Sequence, residues 1–263
     1  MAERTENGLI VEVRDHVAYA TIDRPERMNA LSRGLQHDLV DAFDGFSTDR
    51  DVWAVLLTAT GDRAFSAGAD LKDMGAGDAR GRGPVQPMFG SRRNFFEVIA
   101  ECAKPTVAAL FGWALGGGCE LALACDVRIA ADDLRIGMPE AKRGLGANFG
   151  SVVLPRLIPA GIAYELLYTG EPIDAAAARH WGLVNRVVPR AELAAEAESF
   201  VRTIVGNAPL TVQRYKAMNS KGRELPLAAA LRLNVGPNPY TSEDRKEGVA
   251  AFLEKRRPNW QAR

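Results

Sequence analysis

The chain has 263 residues, of which 47% are apolar and 25% charged, and its 33 basic and 33 acidic residues leave no net charge. This length and composition are typical of a soluble globular protein with a sizeable core, and the lack of a basic surplus argues against nucleic acid as a partner. Cys102, Cys119 and Cys125 are odd in number and form no C-x-x-C pair, which argues against a disulfide framework or a zinc site.

The N-terminal residues and the hydropathy pattern bear on location. Residues 1–6 are polar and acidic, unlike a secretory signal, and too few residues precede the first predicted strand for a transit peptide. No apolar run approaches the roughly 18 residues of a membrane span. The three histidines, His16, His37 and His180, lie far apart and lack metal-ligand spacing. We therefore expect a cytoplasmic protein with no membrane contact and no metal.

The first predicted elements are a hairpin, a helix and a buried strand. Two β-type runs, Leu9–Val13 and Val17–Ile22, are separated by a short polar turn and predict the hairpin. Ser32 is the predicted N-cap of a helix whose apolar residues recur at helical spacing. The nearly unbroken apolar run Val52–Ala59 predicts a strand buried on both faces.

A turn of small residues, Ser66 to Asp70, follows this strand and leads into a short predicted helix near Asp70. The glycine-rich stretch from Gly75 to Ser91 has little apolar periodicity. It predicts a long surface loop, which either flanks a pocket or is an insertion without a function. A helix from Arg92 to Ala100 is predicted next.

The stretch Phe111–Asp126 contains three consecutive glycines, Gly116 to Gly118, between a predicted buried strand (Thr106–Leu110) and a run of helix formers. A strand, a glycine turn and a helix together can present backbone N–H groups to a ligand, because the helix N-terminus carries roughly half a positive charge. A packing turn, a phosphate loop and an oxyanion site are the alternatives. The phosphate loop fits poorly, since neither G-x-G-x-x-G nor Gly-Lys-Ser/Thr is present.

The remaining elements predict an α/β core followed by helices alone. Strands are predicted at Val127–Ala131, Leu134–Met138 and Val184–Val188, and helices at Val152–Leu157, at Ala163–Tyr168 and from an Asp174 cap through Trp181. After Arg190 the pattern is helical, with helices at about 190–205, 209–221, 226–233 and 241–255.

Two carboxylates stand where a site would be expected, because Glu120 and Glu140 each follow a glycine or proline element at a strand end. Two carboxylates around one substrate can divide the acid and base roles. Taken alone, a glutamate in such a position is more often a solvated or helix-capping residue than a catalytic one. No G-x-S-x-G is present, and Cys119 has no evident histidine partner.

A set of motifs covers nearly the whole chain, and the set is specific although each member alone is weak. It comprises Asp23-Arg24-Pro25 with Asn29-Ala30-Leu31, Ala64-Phe65-Ser66-Ala67-Gly68-Ala69-Asp70-Leu71, Ala114-Leu115-Gly116-Gly117-Gly118-Cys119-Glu120-Leu121, Cys125-Asp126, Pro139-Glu140, Tyr168-Thr169-Gly170, Gly182-Leu183-Val184-Asn185, Glu247-Gly248 and Phe252-Leu253-Glu254-Lys255-Arg256. On these motifs, which occur in family order, the chain resembles the crotonase superfamily, the enoyl-CoA hydratase/isomerase family.

The resemblance implies an α/β fold in which residues 1–190 form a crotonase-like spiral of ββα units carrying the acyl-CoA site. Residues 191–263 would form a helical C-terminal region for trimerisation and CoA contacts. We expect a homotrimer or a homohexamer (a dimer of trimers). The substrate would be an acyl-CoA thioester, and no separate cofactor is expected, since coenzyme A is part of the substrate.

The resemblance also assigns site residues. Glu120 and Glu140 match the two catalytic glutamates of the hydratases, and the backbone N–H groups of Ala69 and Gly117 match the oxyanion-hole positions. Which glutamate acts mainly as acid and which as base stays open. The positions matching the family's CoA contacts are Arg24, Ala30, Ser66, Ala67, Gly68, Asp70, Leu71 and Lys72, with Phe252 and Lys255 supplied by a neighbouring subunit.

One departure from the family pattern bears on the substrate. Many hydratases carry a Pro-Gly-Ala-Gly-Gly-like run after the second glutamate, whereas this chain has Gly144–Gly150 with the bulky Phe149. Phe149 would shorten or redirect the acyl pocket. The resemblance implies reversible addition of water to a 2-enoyl-CoA. The rivals are a double-bond isomerase, a carnitinyl-CoA-like dehydratase and a non-catalytic acyl-CoA-binding member, and the presence of both glutamates favours hydration.

Overall fold

Residues 2–81 and 93–263 are described by a computed structural model. In these ranges the strands are β1 (Glu3–Arg4), β2 (Leu9–Arg14), β3 (Val17–Ile22), β4 (Ala54–Ala59), β5 (Ala64–Ser66), β6 (Thr106–Leu110), β7 (Trp113–Leu115), β8 (Val127–Ala131), β9 (Arg135–Gly137), β10 (Ile173–Asp174) and β11 (Arg186–Val188).

The helices of the same ranges are α1 (Arg33–Thr48), α2 (Leu71–Asp78), α3 (Phe95–Glu101), α4 (Gly117–Ala124), α5 (Gly150–Leu157), α6 (Ala160–Thr169), α7 (Ala175–His180), α8 (Leu193–Val205), α9 (Pro209–Gly222), α10 (Leu227–Ala230) and α11 (Glu243–Glu254). None of these helices combines the length and the apolarity that a membrane span needs.

The strands form two sheets that the chain visits in alternation. The larger sheet has the order β1-β2-β3-β4-β6-β8-β11 and is parallel from β3 onward, and the smaller has the order β10-β9-β7-β5. From β4 the chain passes to β5 and α2, from β6 to β7 and α4, and from β8 to β9 and α5. Each turn of this spiral is therefore a strand of each sheet followed by a helix, which confirms the expected ββα architecture.

Both faces of the larger sheet are covered by other elements, and its strands are accordingly apolar on both faces. The main core includes Leu35, Leu39 and Phe43 of α1, whose helical spacing places them on one buried face. A second core lies between the sheet and α8, where Leu193 and Val201 meet strand residues such as Val107. The division at residue 190 stays a prediction, although α8 joins the second core.

The structure confirms the predicted hairpin and caps. Strands β2 and β3 pair antiparallel, the Ser32 side chain accepts from the N–H of Leu35 (3.3 Å), and Asp174 caps α7. The predicted helix at 226–233 is wrong in extent, since only Leu227–Ala230 is helical.

Four short strands of two or three residues, β1, β5, β7 and β10, were not predicted, whereas the equally short β9 and β11 lie within the longer runs 134–138 and 184–188 that predicted them. A run that short gives no measurable periodicity. The predicted loop from Gly75 is wrong up to Asp78, which belongs to α2. Its portion from residue 82 to Ser91 lies outside the described residues, as does Arg92, and the next helix begins at Phe95.

Candidate active site

A cleft of about 710 Å³ opens between the first turns of α1, α2 and α4 and the segment before α5. Both predicted glutamates and both predicted oxyanion residues line it. The full lining is Leu31, Arg33, Gln36, Ala69, Asp70, Asp73, Met74, Asn94, Phe95, Phe96, Gly117, Glu120, Glu140, Gly144, Leu145, Gly146, Asn148 and Phe149. The cleft thus combines an apolar wall with a few polar groups, as small-molecule sites do.

The first of the two turns that face the cleft spans residues 67–70. The N–H of Ala67 donates to Met28 O (3.0 Å), and Gly68 O accepts from the N–H of Leu31 (2.8 Å). Asp70 follows as the N-cap of α2, and its Oδ1 accepts from the N–H groups of Lys72 (3.2 Å) and Asp73 (3.4 Å). This first turn is therefore held by hydrogen bonds on both sides of Ala69.

The second turn spans residues 115–118 and is held by close backbone contacts. Gly116 has φ +55°, and a Cβ there would lie 2.6 Å from Glu140 Oε1. A Cβ on Gly118 would overlap the carbonyl oxygen of Ser66. The backbone of the neighbouring strand excludes a side chain at Gly118, whereas at Gly116 the positive φ strains any other residue and a Cβ would displace the end of the Glu140 side chain.

The two turns touch each other, which brings the two predicted oxyanion residues together. An ideal Cβ on Gly117 would lie 3.6 Å from the Ala69 nitrogen, and one on Gly68 would lie 3.0 Å from the Gly117 nitrogen. Gly117 is the first residue of α4, so its N–H has no partner within that helix. Neither the Ala69 N–H nor the Gly117 N–H donates to an acceptor within residues 2–81 and 93–263. Two neighbouring donors therefore face the cleft.

Glu120 lies one turn into α4 and is buried, with 6% of its surface exposed. Its Oε1 accepts from the N–H of Gly150 (2.8 Å). Burial raises its pKa from 4.5 to about 7, the nearby charge of Glu140 adds to the rise, and the amides of Gly150 and Phe149 oppose it. A carboxyl with this pKa can hold or release a proton near neutral pH.

Glu140 reaches the cleft from the single 3₁₀ turn Pro139–Arg143, which follows β9. Its Oε2 is buried and has no hydrogen-bond partner among the described residues. Burial raises the pKa of Glu140, while hydrogen bonding to its own backbone and the Arg143 charge lower it. An unpartnered buried carboxyl oxygen facing a cleft is free to bind a water molecule or a substrate.

The positions matching the family's CoA contacts divide into two groups. Ala67, Gly68 and Asp70 lie in the first turn, Ser66 directly precedes it at the end of β5, and Arg24 and Ala30 lie in the segment that holds it. Leu71 and Lys72 are the first residues of α2, and their side chains are exposed. Phe252 and Lys255 lie at the end of α11, are exposed, and do not line the cleft of their own chain.

Residue-by-residue reasoning missed the groups that hold the site in place. The Gly150 amide holds Glu120, and the buried side chain of Asn29 donates to Thr60 O (2.9 Å) and Ala64 O (2.7 Å). Asn29 has φ +53°, a conformation that asparagine tolerates better than most non-glycine residues, and its place in the Asn29-Ala30-Leu31 motif did not indicate this structural role. In the part of the chain that the structure describes, no cluster of His, Cys, Asp or Glu could hold a metal ion.

Comparison of structures places the chain among crotonase-fold proteins. An enoyl-CoA hydratase crystal structure from Bacillus anthracis superposes with a TM-score of 0.88 at 33% identity, covering 97% of this chain and all of that one. The two chains thus share one fold over their length.

Sequence comparison gives the family. The family model described as Enoyl-CoA hydratase/isomerase matches residues 12–263. The chain is 36% identical to the crotonyl-CoA hydratase of Syntrophomonas wolfei (96% of this chain, 97% of the relative). It is also 36% identical to the carnitinyl-CoA dehydratase of Escherichia coli K12 (98% and 97%). The chain belongs to the enoyl-CoA hydratase/isomerase family.

Proposed function

We propose that this protein is an enoyl-CoA hydratase, which adds water reversibly to a 2-enoyl-CoA to give a 3-hydroxyacyl-CoA. The observation that carries the proposal is the cleft itself, where two amides with no acceptor among the described residues share one cavity with the buried Glu120 and the half-buried Glu140, whose pKa values are both raised. The similarity to the crotonyl-CoA hydratase supports it. The names of the crotonyl-CoA hydratase and the carnitinyl-CoA dehydratase support an acyl-CoA thioester as the substrate class.

The two amides would bind the thioester carbonyl oxygen. Addition of water across the double bond develops enolate charge on that oxygen, and the Ala69 and Gly117 N–H groups would stabilise it together with the N-terminus of α4. Loss of one such donor typically costs about 3–4 kcal/mol of activation free energy. The donors need no reorganisation, because both turns are fixed before substrate arrives.

The two glutamates would transfer the protons. One carboxylate removes a proton from the water that attacks C3, while the other carboxyl delivers a proton to C2, so the pair must hold one proton between them. Glu120, with a pKa of about 7, titrates in the range where such sharing occurs. The proposed chemistry uses these groups alone and calls for neither a metal nor a redox cofactor.

Turnover of crotonyl-CoA, followed as loss of the enoyl-thioester absorbance, tests the proposal. We expect Glu140→Gln to lower kcat at least about a thousand-fold while binding of a CoA thioester persists, because proton transfer is lost and the shape is kept. Glu171→Gln is the matched control, since Glu171 is exposed and pairs with Lys142 outside the cleft. Full activity of Glu140→Gln would refute the role given to Glu140, and inactivity of the unsubstituted enzyme on every 2-enoyl-CoA would refute the hydratase proposal itself.

A second candidate is dehydration of a polar 3-hydroxyacyl-CoA, the reverse chemistry on a different acyl group. Gln36, Asn94 and Asn148 line the cleft and offer hydrogen bonds to a polar acyl chain. The similarity to the carnitinyl-CoA dehydratase favours the same reading. A panel of acyl-CoAs that varies in length and polarity separates the two, because a polar-chain enzyme would show the higher kcat/KM on the polar members.

We further propose that the chain assembles as a homotrimer or a dimer of trimers, with Phe252 and Lys255 of one subunit reaching the CoA of another. The support is the exposure of large apolar side chains on the C-terminal helices, among them Leu227 (74%), Leu231 (71%) and Phe252 (82%). Exposed apolar groups in this number are typical of an interaction surface. Light scattering after size-exclusion chromatography tests the assembly, and a monomer would refute it.

A further inference from the structure

A buried ion pair joins the first turn to the segment of the chain that precedes α1. Arg24 Nη2 lies 3.3 Å from Asp70 Oδ2, and the two side chains are 18% and 6% exposed. Burying two charges requires their desolvation, so such a pair is weak evidence for a contribution to stability. Its placement beside the cleft calls for another explanation.

Asp70 uses both carboxylate oxygens, and each fixes a different element. Oδ1 caps α2, while Oδ2 meets the guanidinium of Arg24. Ala69, whose N–H faces the cleft, is the residue directly before Asp70. The backbone on the other side of Ala69 is held by the Gly68 carbonyl, which accepts from the Leu31 N–H. The Ala69 amide therefore lies between two fixed points.

Arg24 holds the opposite side of the same frame. Its Nη1 donates to the carbonyl oxygen of Ala30, and its backbone N–H donates to Asn29 Oδ1 (2.9 Å). Ala30 directly precedes Leu31, the residue that binds Gly68. The Arg24 guanidinium thus links Asp70, which directly follows Ala69, to Ala30, which directly precedes the residue that binds Gly68 O. Its planar fork suits two acceptors at once.

We propose that Arg24 and Asp70 are positioning residues that aim the Ala69 N–H at the thioester oxygen. The inference rests on the proposed function and adds to it a device for preorganisation. On this view the guanidinium of Arg24 acts on catalysis through the frame of the turn rather than by contact with CoA. A misplacement of about 1 Å at a reacting centre can lower a rate about a hundred-fold, so the device is large enough to matter.

Asp70→Asn is the main test, because it keeps the size of the side chain and an oxygen that can cap α2 but removes the charge. We expect kcat on crotonyl-CoA to fall about ten- to a hundred-fold, with KM and thioester binding changed less than three-fold. Arg24→Met should give a similar loss, and the double variant should lose no more than either single one, because the residues act as a unit.

A spectroscopic readout separates aiming from general damage. Hydrogen bonds to the carbonyl polarise a conjugated thioester, so cinnamoyl-CoA bound to the unsubstituted protein should absorb at longer wavelength than the free compound. In Asp70→Asn and Arg24→Met the bound probe should lose a large part of that shift. Arg4→Gln is the matched control, since the Arg4–Asp23 pair is more exposed, contacts the same segment, and does not reach the first turn.

The outcomes are distinct. Variants that keep the full spectral shift and kcat would overturn the positioning role, as would losses explained wholly by weaker thioester binding, which would assign Arg24 to CoA. An equal loss in Arg4→Gln would reduce the effect to general stability and also overturn it. If the unsubstituted protein shows the shift but hydrates no 2-enoyl-CoA, the hydratase proposal fails while the positioning test still stands.

Discussion

The two turns that face the cleft each present one amide, yet they are held mainly by different kinds of contact. The first turn, residues 67–70, is fixed mainly by hydrogen bonds, from the backbone of Met28 and Leu31 and from the side chain of Asp70, which in turn meets Arg24. The second, residues 115–118, is fixed by the absence of side chains, because backbone and a carboxylate approach Gly116 and Gly118 directly. A rigid amide can therefore be obtained from hydrogen bonds or from backbone contact, and the two solutions should fail differently.

The difference extends to the carboxylate that follows each turn. Asp70 follows the first turn and meets a guanidinium. Glu120 follows the second turn and is held by backbone amides, with burial raising its pKa to about 7. A cation beside Glu120 would favour its ionised form and remove its capacity to hold a proton near neutral pH. Within the described ranges, Asp70 is paired with a cation and Glu120, the proposed chemical carboxylate, is not.

The largest effect is expected at the second turn. Gly118→Ala would force a Cβ into the Ser66 carbonyl oxygen, which cannot move without displacing β5. We expect a loss of about 4 kcal/mol in the free energy of unfolding, or no folded protein. Urea denaturation measures it. Gly45→Ala is the control, because its Cβ would meet nothing within 4 Å in an exposed stretch of α1, and it should be neutral or slightly stabilising.

Asn29→Ala is the corresponding change in the segment that holds the first turn. It removes the two donors to Thr60 O and Ala64 O and the acceptor for the Arg24 N–H at a site that is 1% exposed. Buried carbonyl groups would be left unpaired, so we expect a loss of about 3 kcal/mol in stability. Urea denaturation measures the loss. If the folded fraction of Asn29→Ala kept its full kcat at low temperature, the hydrogen bonds of Asn29 would not be needed to hold the cleft in its active geometry.

Gly116→Ala tests placement rather than stability. The added Cβ meets the flexible end of the Glu140 side chain, so the carboxylate should turn away while the fold persists. Alanine is also strained at φ +55°. We expect kcat to fall about a hundred-fold, with thioester binding retained, measured by steady-state kinetics and by equilibrium titration. An unchanged kcat would show that Glu140 is not needed in this position.

Glu120→Gln sharpens the contrast between the paired and the unpaired carboxylate. Because the folded-state pKa of Glu120 is raised to about 7 from 4.5, ionised Glu120 destabilises the fold, and that penalty grows as the pH rises from about 4.5 to 7. Glutamine keeps an oxygen for the Gly150 N–H and avoids the charge. The variant should exceed the parent by about 3 kcal/mol at pH 8 and match it near pH 4. Thermal unfolding across this range measures it, and a gap independent of pH would contradict the raised pKa.

Much of the fold followed from the sequence where an element was long enough to have a period or a recognisable cap. Helix α1 has its Ser32 cap and its apolar stripe, and α7 has Asp174. Strands β5 and β7 gave no signal because three residues among glycines and alanines carry no period. Their location depends on the second sheet, which exists only once the chain has coiled.

The site was partly predictable for a similar reason. Glu120 and Glu140 stand out as carboxylates after turn residues, and family motifs pair them with Ala69 and Gly117. The sequence does not reveal that the Gly150 amide holds Glu120, because every non-proline residue has a backbone N–H and the residue type does not show which one donates. Nor does it reveal that Arg24 contacts Asp70, which is 46 residues away in the sequence, since nothing in the sequence distinguishes this arginine from the others as its partner.

Phe149 gives the cleft one further property. Its ring lines the cavity and lies 5.4 Å, centroid to centroid, from Phe96, while the peptide on either side of its own residue supplies the amides that hold Glu120. An acyl chain that pushes the ring aside therefore also tilts the carboxyl. We expect acyl groups that fit poorly to bind nearly as tightly as those that fit well but to react slowly. The enzyme would then discriminate between substrates through kcat rather than through binding affinity.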